Sequence, residues 1–141
     1  MVVIDAKDLI VGRMGTRAAK LAMKGEKVDI VNCEQAIISG SKEDVLAKFK
    51  RKQDMGIPSK GPYQPKMPDR FVRKIIRGML PYKQAKGTEA YKRIMCYIGI
   101  PEKLANAEKI TFKECSISKL PNYKIMYVKD ICKYLGGKVR V

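Results

Sequence analysis

Apolar and polar residues follow one another along this chain in short blocks that predict alternating strands and helices. Short apolar runs predict strands at residues 2–5, 27–31, 36–39 and 109–112. Helical periodicity predicts helices at 12–24, 41–54, 69–80, 88–95 and 128–135, of which the first ends before Gly25 and the second begins at a Ser41/Asp44 capping pair. This alternation favours an α/β fold with three layers, in which a small, mostly parallel sheet lies between helices.

The predicted helix 69–80 carries two stripes with opposite chemistry. Its apolar stripe consists of Val72, Ile75, Ile76 and Met79, and its basic stripe of Arg70, Arg73, Lys74 and Arg77. At about 100° per residue the stripes lie roughly 200° apart. The pattern predicts a helix that begins at a capping Asp69, ends at Pro81, packs one face on a core and presents the other to an anion.

Residues 56–68 predict an extended, basic loop, because they contain four prolines and two glycines. The overlapping Pro62-x-x-Pro65-x-x-Pro68 spacing is also typical of ligands for SH3-type domains. We favour a stiff loop that follows a groove in a partner, with Lys60, Lys66 and the ring of Tyr63 available for contact. On that interpretation the partner is what orders the loop.

Length and composition indicate one globular domain, residues 1–141. The chain is 45% hydrophobic, which is enough for a core at this length. It has no run of about 18 apolar residues that would span a bilayer. Its first residues are strand-like and lack the features of a secretory signal, so we expect a cytoplasmic protein without a membrane partner.

The basic residues are concentrated in the middle third of the chain. The whole chain has a formal net charge of +16, and residues 48–93 alone hold fourteen Lys and Arg against three acids, a net of +11. Such a charge indicates a polyanion, with nucleic acid the commonest partner and an anionic membrane surface second. The middle third is expected to leave the α/β core as a basic loop-and-helix excursion. The residues predicted to bind the nucleic acid are Arg13, Arg17, Lys50, Arg51, Lys52, Lys60, Tyr63, Lys66, Arg70, Arg73, Lys74, Arg77, Lys83, Lys86, Lys92 and Arg93.

The residue types present argue against an enzyme. The chain has no histidine, so a Ser-His-Asp triad, a Cys-His pair and an imidazole base are all excluded. Its four cysteines form no CxxC pair, which argues against a metal site and indicates buried, reduced thiols. The alternative is a nucleotide-binding enzyme that uses the Gly12–Thr16 turn, with Glu34 as a ribose ligand, but the turn lacks a full phosphate-binding pattern. We therefore expect no catalytic residue, cofactor or small-molecule substrate.

Four stretches in order resemble one family. They are Val11-Gly12-Arg13-Met14-Gly15-Thr16-Arg17-Ala18-Ala19, Val28-Asp29-Ile30-Val31-Asn32-Cys33-Glu34, Arg73-Lys74-Ile75-Ile76-Arg77-Gly78-Met79-Leu80-Pro81 and Tyr97-Ile98-Gly99-Ile100-Pro101. Together they resemble the L-thirteen family of large-subunit ribosomal proteins. The short ends resemble the archaeal form more than the bacterial or eukaryotic forms.

The resemblance implies a three-layer α/β/α fold around a four-stranded parallel sheet. It also implies a structural role in the large ribosomal subunit, with binding to its ribosomal RNA early in assembly and neighbouring ribosomal proteins as further partners. Composition alone reaches only a nucleic-acid partner, so a general DNA-coating protein remains an alternative at that level.

Overall fold

The computed structural model describes residues 1–139, which form six strands and five α-helices joined by short turns and 3-10 helices. The strands are Val2–Asp5 (β1), Val28–Val31 (β2), Ile37–Ser39 (β3), Ile94–Cys96 (β4), Lys109–Ile110 (β5) and Ile125–Tyr127 (β6). The helices are Val11–Met23 (α1), Lys42–Asp54 (α2), Pro68–Arg77 (α3), Ala85–Lys92 (α4) and Val128–Tyr134 (α5). None of these helices is long and apolar enough to cross a membrane.

The main sheet has four parallel strands in the order β4-β2-β1-β5. The predicted fold class, with a small parallel sheet in an α/β arrangement, is confirmed. Its strand membership is partly different, because β3 pairs with β6 in a separate antiparallel ribbon. The main sheet contains β4 instead of the strand predicted at 36–39. The sequence pattern places the first residues of β4 at the end of the predicted helix 88–95. Ala90 and Ile94 share a helical spacing, so periodicity continues past Lys92, where the helix ends.

The sheet has a core on each of its faces. Ile4, Ile30 and Ile94 point into the larger core, which the five helices cover. Val3 and Val31, one residue out of phase, point to the opposite face and pack with Leu104 in a smaller core. The sheet is therefore the middle layer of three, with a thinner layer formed by the chain after β4.

Helix α1 packs closely against α3. Met14, Ala18 and Ala22 are fully buried, and Gly25, at φ +100°, follows the helix end as predicted. At Gly15 an added Cβ would lie 3.1 Å from the Met79 sulfur. The absence of a side chain at this position is what lets the segment after α3 approach α1.

Helix α3 inserts its apolar face into the larger core. Phe71, Val72 and Ile76 are buried there, and Phe71 was not among the residues predicted for the apolar stripe. The helix begins at Pro68, whose missing N–H is no loss in a first turn. Asp69 therefore lies inside the helix instead of capping it, and its Oδ1 is buried without a hydrogen-bond partner among the described residues.

The middle third leaves the sheet after β2 and returns to it at β4. It is an excursion from the sheet, as predicted, yet it contributes to the core. The rings of Phe49 in α2 and Phe71 in α3 lie 4.9 Å apart and join the two helices. Between α2 and α3 runs the loop of residues 55–67, which we call the proline loop.

All four cysteines are buried and unpaired, as the sequence indicates. Burial, with the nearby charge of Asp69, raises the pKa of the Cys132 thiol to about 12. A thiol in such surroundings stays protonated at neutral pH and acts as a small apolar side chain.

We expect Ile76→Ala to lower the free energy of unfolding by roughly 2–5 kcal/mol, because Ile76 is fully buried between α1 and α3. The matched control is Ile100→Ala, since the Ile100 side chain is 44% exposed and its loss should cost less than about 0.5 kcal/mol. Urea denaturation followed by circular dichroism measures both. Similar losses in the two variants would contradict the burial described here.

Candidate nucleic-acid interface

Three basic helices meet on one side of the molecule. Helices α1 and α3 pack together, and α2 is joined to α3 through the Phe49 and Phe71 rings. Met79 lies in two neighbouring grooves, one beside α1 and one between α2 and α3. Six cations line these two grooves, namely Arg17, Lys20, Lys24, Lys48, Lys52 and Lys74. We call the cationic side chains of the three helices and the proline loop together the basic surface.

The predicted binding residues are mostly accessible on this surface or beside it. Thirteen of the sixteen are exposed, and three are half-buried, namely Arg73, Lys74 and Arg93. For seven of the exposed residues the described part of the chain provides the side chain with no ion pair, hydrogen bond or aromatic stack. These seven are Arg51, Lys60, Lys66, Arg70, Lys83, Lys86 and Lys92.

The Arg73 side chain is held by contacts within the chain. Its Nε donates to the carbonyl of Ile94 at 2.9 Å, and its Nη2 donates to the carbonyl of Tyr91 at 3.4 Å. The guanidinium also lies over the Tyr91 ring, 4.4 Å from the centroid. These contacts tie α3 to α4 and to the start of β4. Sequence periodicity groups Arg73 with Arg70, but of the two only Arg70 is exposed.

Lys74 holds the proline loop against α3. Its Nζ donates to the carbonyl of Tyr63 and to the Gln64 side-chain oxygen, both at 2.9 Å. Desolvation lowers the pKa of Lys74 from its usual value, and the positive charges of Arg77 and Lys52 lower it further. The ammonium therefore sits in surroundings that would favour a neighbouring anion.

The proline loop is folded onto its own domain. Backbone N–H groups of Lys60 and Gly61 donate to the carbonyl of Ile57 at 3.0 and 2.8 Å, and the loop is tied to α3 by Lys74. The Tyr63 ring nevertheless remains 67% exposed. The expectation that RNA orders this loop remains a prediction, but the structure adds contacts within the chain that composition does not reveal.

The cations of α1 and α2 are divided between internal pairs and open solvent. Arg17 forms an ion pair with Glu114, whose carbonyl also accepts from Arg13 at 3.5 Å. In α2, Lys50 pairs with Asp54 at 3.1 Å, and the Lys52 ammonium lies 5.5 Å from the centre of the Phe49 ring. The two ion pairs are exposed and so can exchange for phosphate contacts at small cost.

Two further predicted residues have internal partners next to α3 and α4. The Arg77 guanidinium lies over the Tyr82 ring, 4.8 Å from the centroid. Arg93 lies 3.6 Å from Glu89 and donates to the carbonyl of Ala22 at 3.4 Å. Arg93 therefore joins α4 to the end of α1.

Three further lysines belong to the same surface. Lys20 and Lys24 line a groove of about 470 Å³ beside α1 together with Arg17, and Lys48 lies one turn before Lys52. Helical spacing already assigns Lys20 and Lys24 to a stripe with Arg13 and Arg17, so that signal was available in the sequence.

The Gly12–Thr16 segment lacks the form of a nucleotide-binding loop. It lies within the first turns of α1, and the Thr16 hydroxyl donates to the Gly12 carbonyl at 3.1 Å. Glu34 is only 1% exposed and accepts the N–H of Gly99 at 3.0 Å. Both features serve the internal structure, which leaves the basic surface as the leading candidate site.

Comparison with known proteins identifies similar chains. Residues 1–103 match the family model described as "Ribosomal protein L13". The chain is 41% identical over 138 residues to "Large ribosomal subunit protein uL13" of Methanococcoides burtonii, with 98% of this chain and 99% of that protein covered. It is 40% identical to the protein of the same name from Methanosarcina barkeri, with the same coverage, and 37% identical to that of Natronomonas pharaonis, with 98% and 92% covered.

We expect Arg73→Ala to destabilise the protein by roughly 1–3 kcal/mol, because it leaves the carbonyls of Ile94 and Tyr91 without their charged donor. Arg70→Ala, one turn away and exposed, should change stability by less than about 0.5 kcal/mol. Chemical denaturation of the two variants gives the comparison. If neither substitution changes the free energy of unfolding, the Arg73 contacts do not stabilise the protein.

Proposed function

Because the chain belongs to the ribosomal protein L13 family, we propose that it is a structural constituent of the large ribosomal subunit that binds large-subunit ribosomal RNA. The proposal includes a part in early subunit assembly, a cytoplasmic location on the ribosome, and neighbouring ribosomal proteins as partners. It assigns no catalytic activity to the chain.

The observation that supports this proposal most directly is the basic surface formed by α1, α2, α3 and the proline loop. Residues 48–93 carry a net charge of +11, and most of their cations are exposed. Such a surface can neutralise phosphates where RNA segments crowd together. Exposed arginines such as Arg51 and Arg70 can also bridge two phosphates, because the guanidinium presents several donors in a fixed plane.

The sixteen residues predicted from sequence differ in the role proposed for them. The exposed cations contact phosphates directly, and Tyr63 offers its ring for stacking. Arg73 and Arg93 act indirectly, since they hold α3, α4 and β4 in the relative positions that present the exposed cations. Lys20, Lys24 and Lys48 extend the proposed surface.

Sedimentation tests the ribosomal assignment. The tagged full-length chain should migrate with the large subunit and with its precursor particles in a sucrose gradient. Ribonuclease treatment should release it from the fast fractions, whereas deoxyribonuclease should not. Release by deoxyribonuclease alone would favour the DNA-coating alternative and overturn the proposal.

The affinity for large-subunit ribosomal RNA should fall steeply with salt. If ~6–10 phosphates are contacted, the binding constant should drop by about 10³–10⁵ between 50 and 200 mM monovalent salt. Filter binding across this range gives the slope of log K against log salt. A nearly flat plot would contradict an interface made of phosphate contacts.

Removing a single exposed cation should reduce this slope by about 1 and weaken binding without unfolding the protein. We expect this of Arg70→Gln and Lys66→Gln. Lys103→Gln is the matched control, because Lys103 is exposed next to Leu104 in the layer that covers the other face of the sheet. If the control weakens binding as much as Arg70→Gln does, the basic surface is not the interface.

A further inference from the structure

An open groove, lined by residues of both α2 and α3, lies beside the proline loop. We call it the α2–α3 groove, and its volume is about 740 Å³. Phe49 and Phe71 contribute to its lining, with Ile75 and Met79 from α3 and the segment after it. A concave apolar surface of this size is typical of sites that enclose a small molecule or one unit of a polymer.

The lining combines apolar walls with positive charge only. Lys48 and Lys52 border the groove from α2, and Lys74 borders it from α3. None of the described residues that line it is acidic. The groove therefore fits an occupant that has both an apolar body and a negative charge.

An aromatic ring stands at the groove without a stacking partner. Tyr63 is 67% exposed, and no aromatic pair involving it occurs among residues 1–139. Its backbone is fixed because its carbonyl accepts from Lys74 at 2.9 Å. A stacking surface whose main chain is already positioned loses little entropy when it binds a flat ligand.

We propose that the α2–α3 groove receives one unpaired nucleotide of the bound RNA, with its base among the apolar side chains beside Tyr63 and its phosphates at Lys48 and Lys52. This inference rests on the proposed function, of which it defines one contact. A base has a flat apolar face for the groove, and its edge can hydrogen-bond to the Ser39 hydroxyl or the Gln64 amide that line it.

An acidic segment of a neighbouring protein is the competing occupant. Its carboxylates would satisfy the lysines, but acidic side chains have little apolar surface to place against Phe49, Ile75 and Met79. The observations therefore favour a nucleotide, and the experiments below separate the two.

Gly12 offers a way to fill the groove without disturbing the fold. It lines the groove, and a Cβ added there meets no atom within 4 Å. Gly12→Leu places a side chain in the open space, and Gly12→Ala is the matched control that leaves most of that space free. Thermal unfolding should show both variants folded.

The probe is a short oligoadenylate, compared with an abasic strand of the same length and charge. Fluorescence anisotropy should show that the wild-type chain and Gly12→Ala bind oligoadenylate roughly tenfold more tightly than the abasic strand, the gain typical of one stacked base. Gly12→Leu should bind the two strands about equally. Retention of the full tenfold preference by Gly12→Leu would overturn the proposal, because the base would then stack elsewhere.

A second pair of variants keeps the test decisive if Gly12→Leu does not fold. Tyr63→Ala should lose most of the preference for bases, and Tyr63→Phe should keep it. Equal binding of the two strands by the wild-type chain, with strong salt-dependent binding to ribosomal RNA, would overturn the groove assignment and leave the proposed function intact. Failure to bind any nucleic acid would overturn both.

Ultraviolet cross-linking of assembled large subunits identifies the natural occupant. Mass spectrometry should find a nucleotide attached to the peptide that contains Tyr63 or Met79. A chemical cross-link from Lys48 or Lys52 to an acidic peptide of another protein, without a nucleotide adduct on the groove peptides, would assign the groove to a protein partner and overturn the proposal.

Discussion

The docking of α3 against α1 and the larger core is the constraint on which the rest of the structure depends. Three buried side chains, Phe71, Val72 and Ile76, fix the rotation of this helix about its axis. Once that rotation is fixed, Arg70 must face solvent and Lys74 must face the proline loop. Gly15 permits the close approach that the docking requires. An apolar contact thus decides where the positive charge is presented.

The same docking crowds like charges. Lys52, Lys74 and Arg77 are close enough for the pKa of Lys74 to be lowered by the other two, in addition to its desolvation. Contacts within the chain offset part of this repulsion, because the Tyr63 carbonyl accepts from Lys74 and the Tyr82 ring lies under Arg77. What remains is an electrostatic repulsion that a polyanion bound at these side chains would reduce.

Sequence patterns predicted this fold well wherever local periodicity and core position agree. Helix α1, with its buried Met14 and Ala18 and its terminal Gly25, follows from spacing alone. Strand β4 does not, because three residues are too few to show a period of two, and Ile94 continues the spacing of the preceding helix. Long-range pairing with β2 is what makes it a strand.

The candidate site likewise has features that follow from local spacing and others that depend on long-range contacts. Charge density identified the segment 48–93, and helical spacing identified the accessible face of α3. Spacing could not separate Arg73 from Arg70, because the carbonyls of Tyr91 and Ile94 that bind Arg73 lie about twenty residues further along the chain. Spacing also could not predict that Lys74 donates to the Tyr63 carbonyl, because this hydrogen bond depends on how the proline loop folds back onto α3.

The strand order has a consequence for how this chain folds. Neighbouring strands β2 and β4 are separated in sequence by about sixty residues that include the whole segment 48–93. Closing a loop of that length costs only slightly more entropy than closing a shorter one, but here the loop repels itself. This repulsion opposes completion of the parallel sheet. Neutralisation of the segment by counterions or by a bound polyanion would reduce it, so the strand order predicts that pairing of β2 with β4 is faster when the charge is screened.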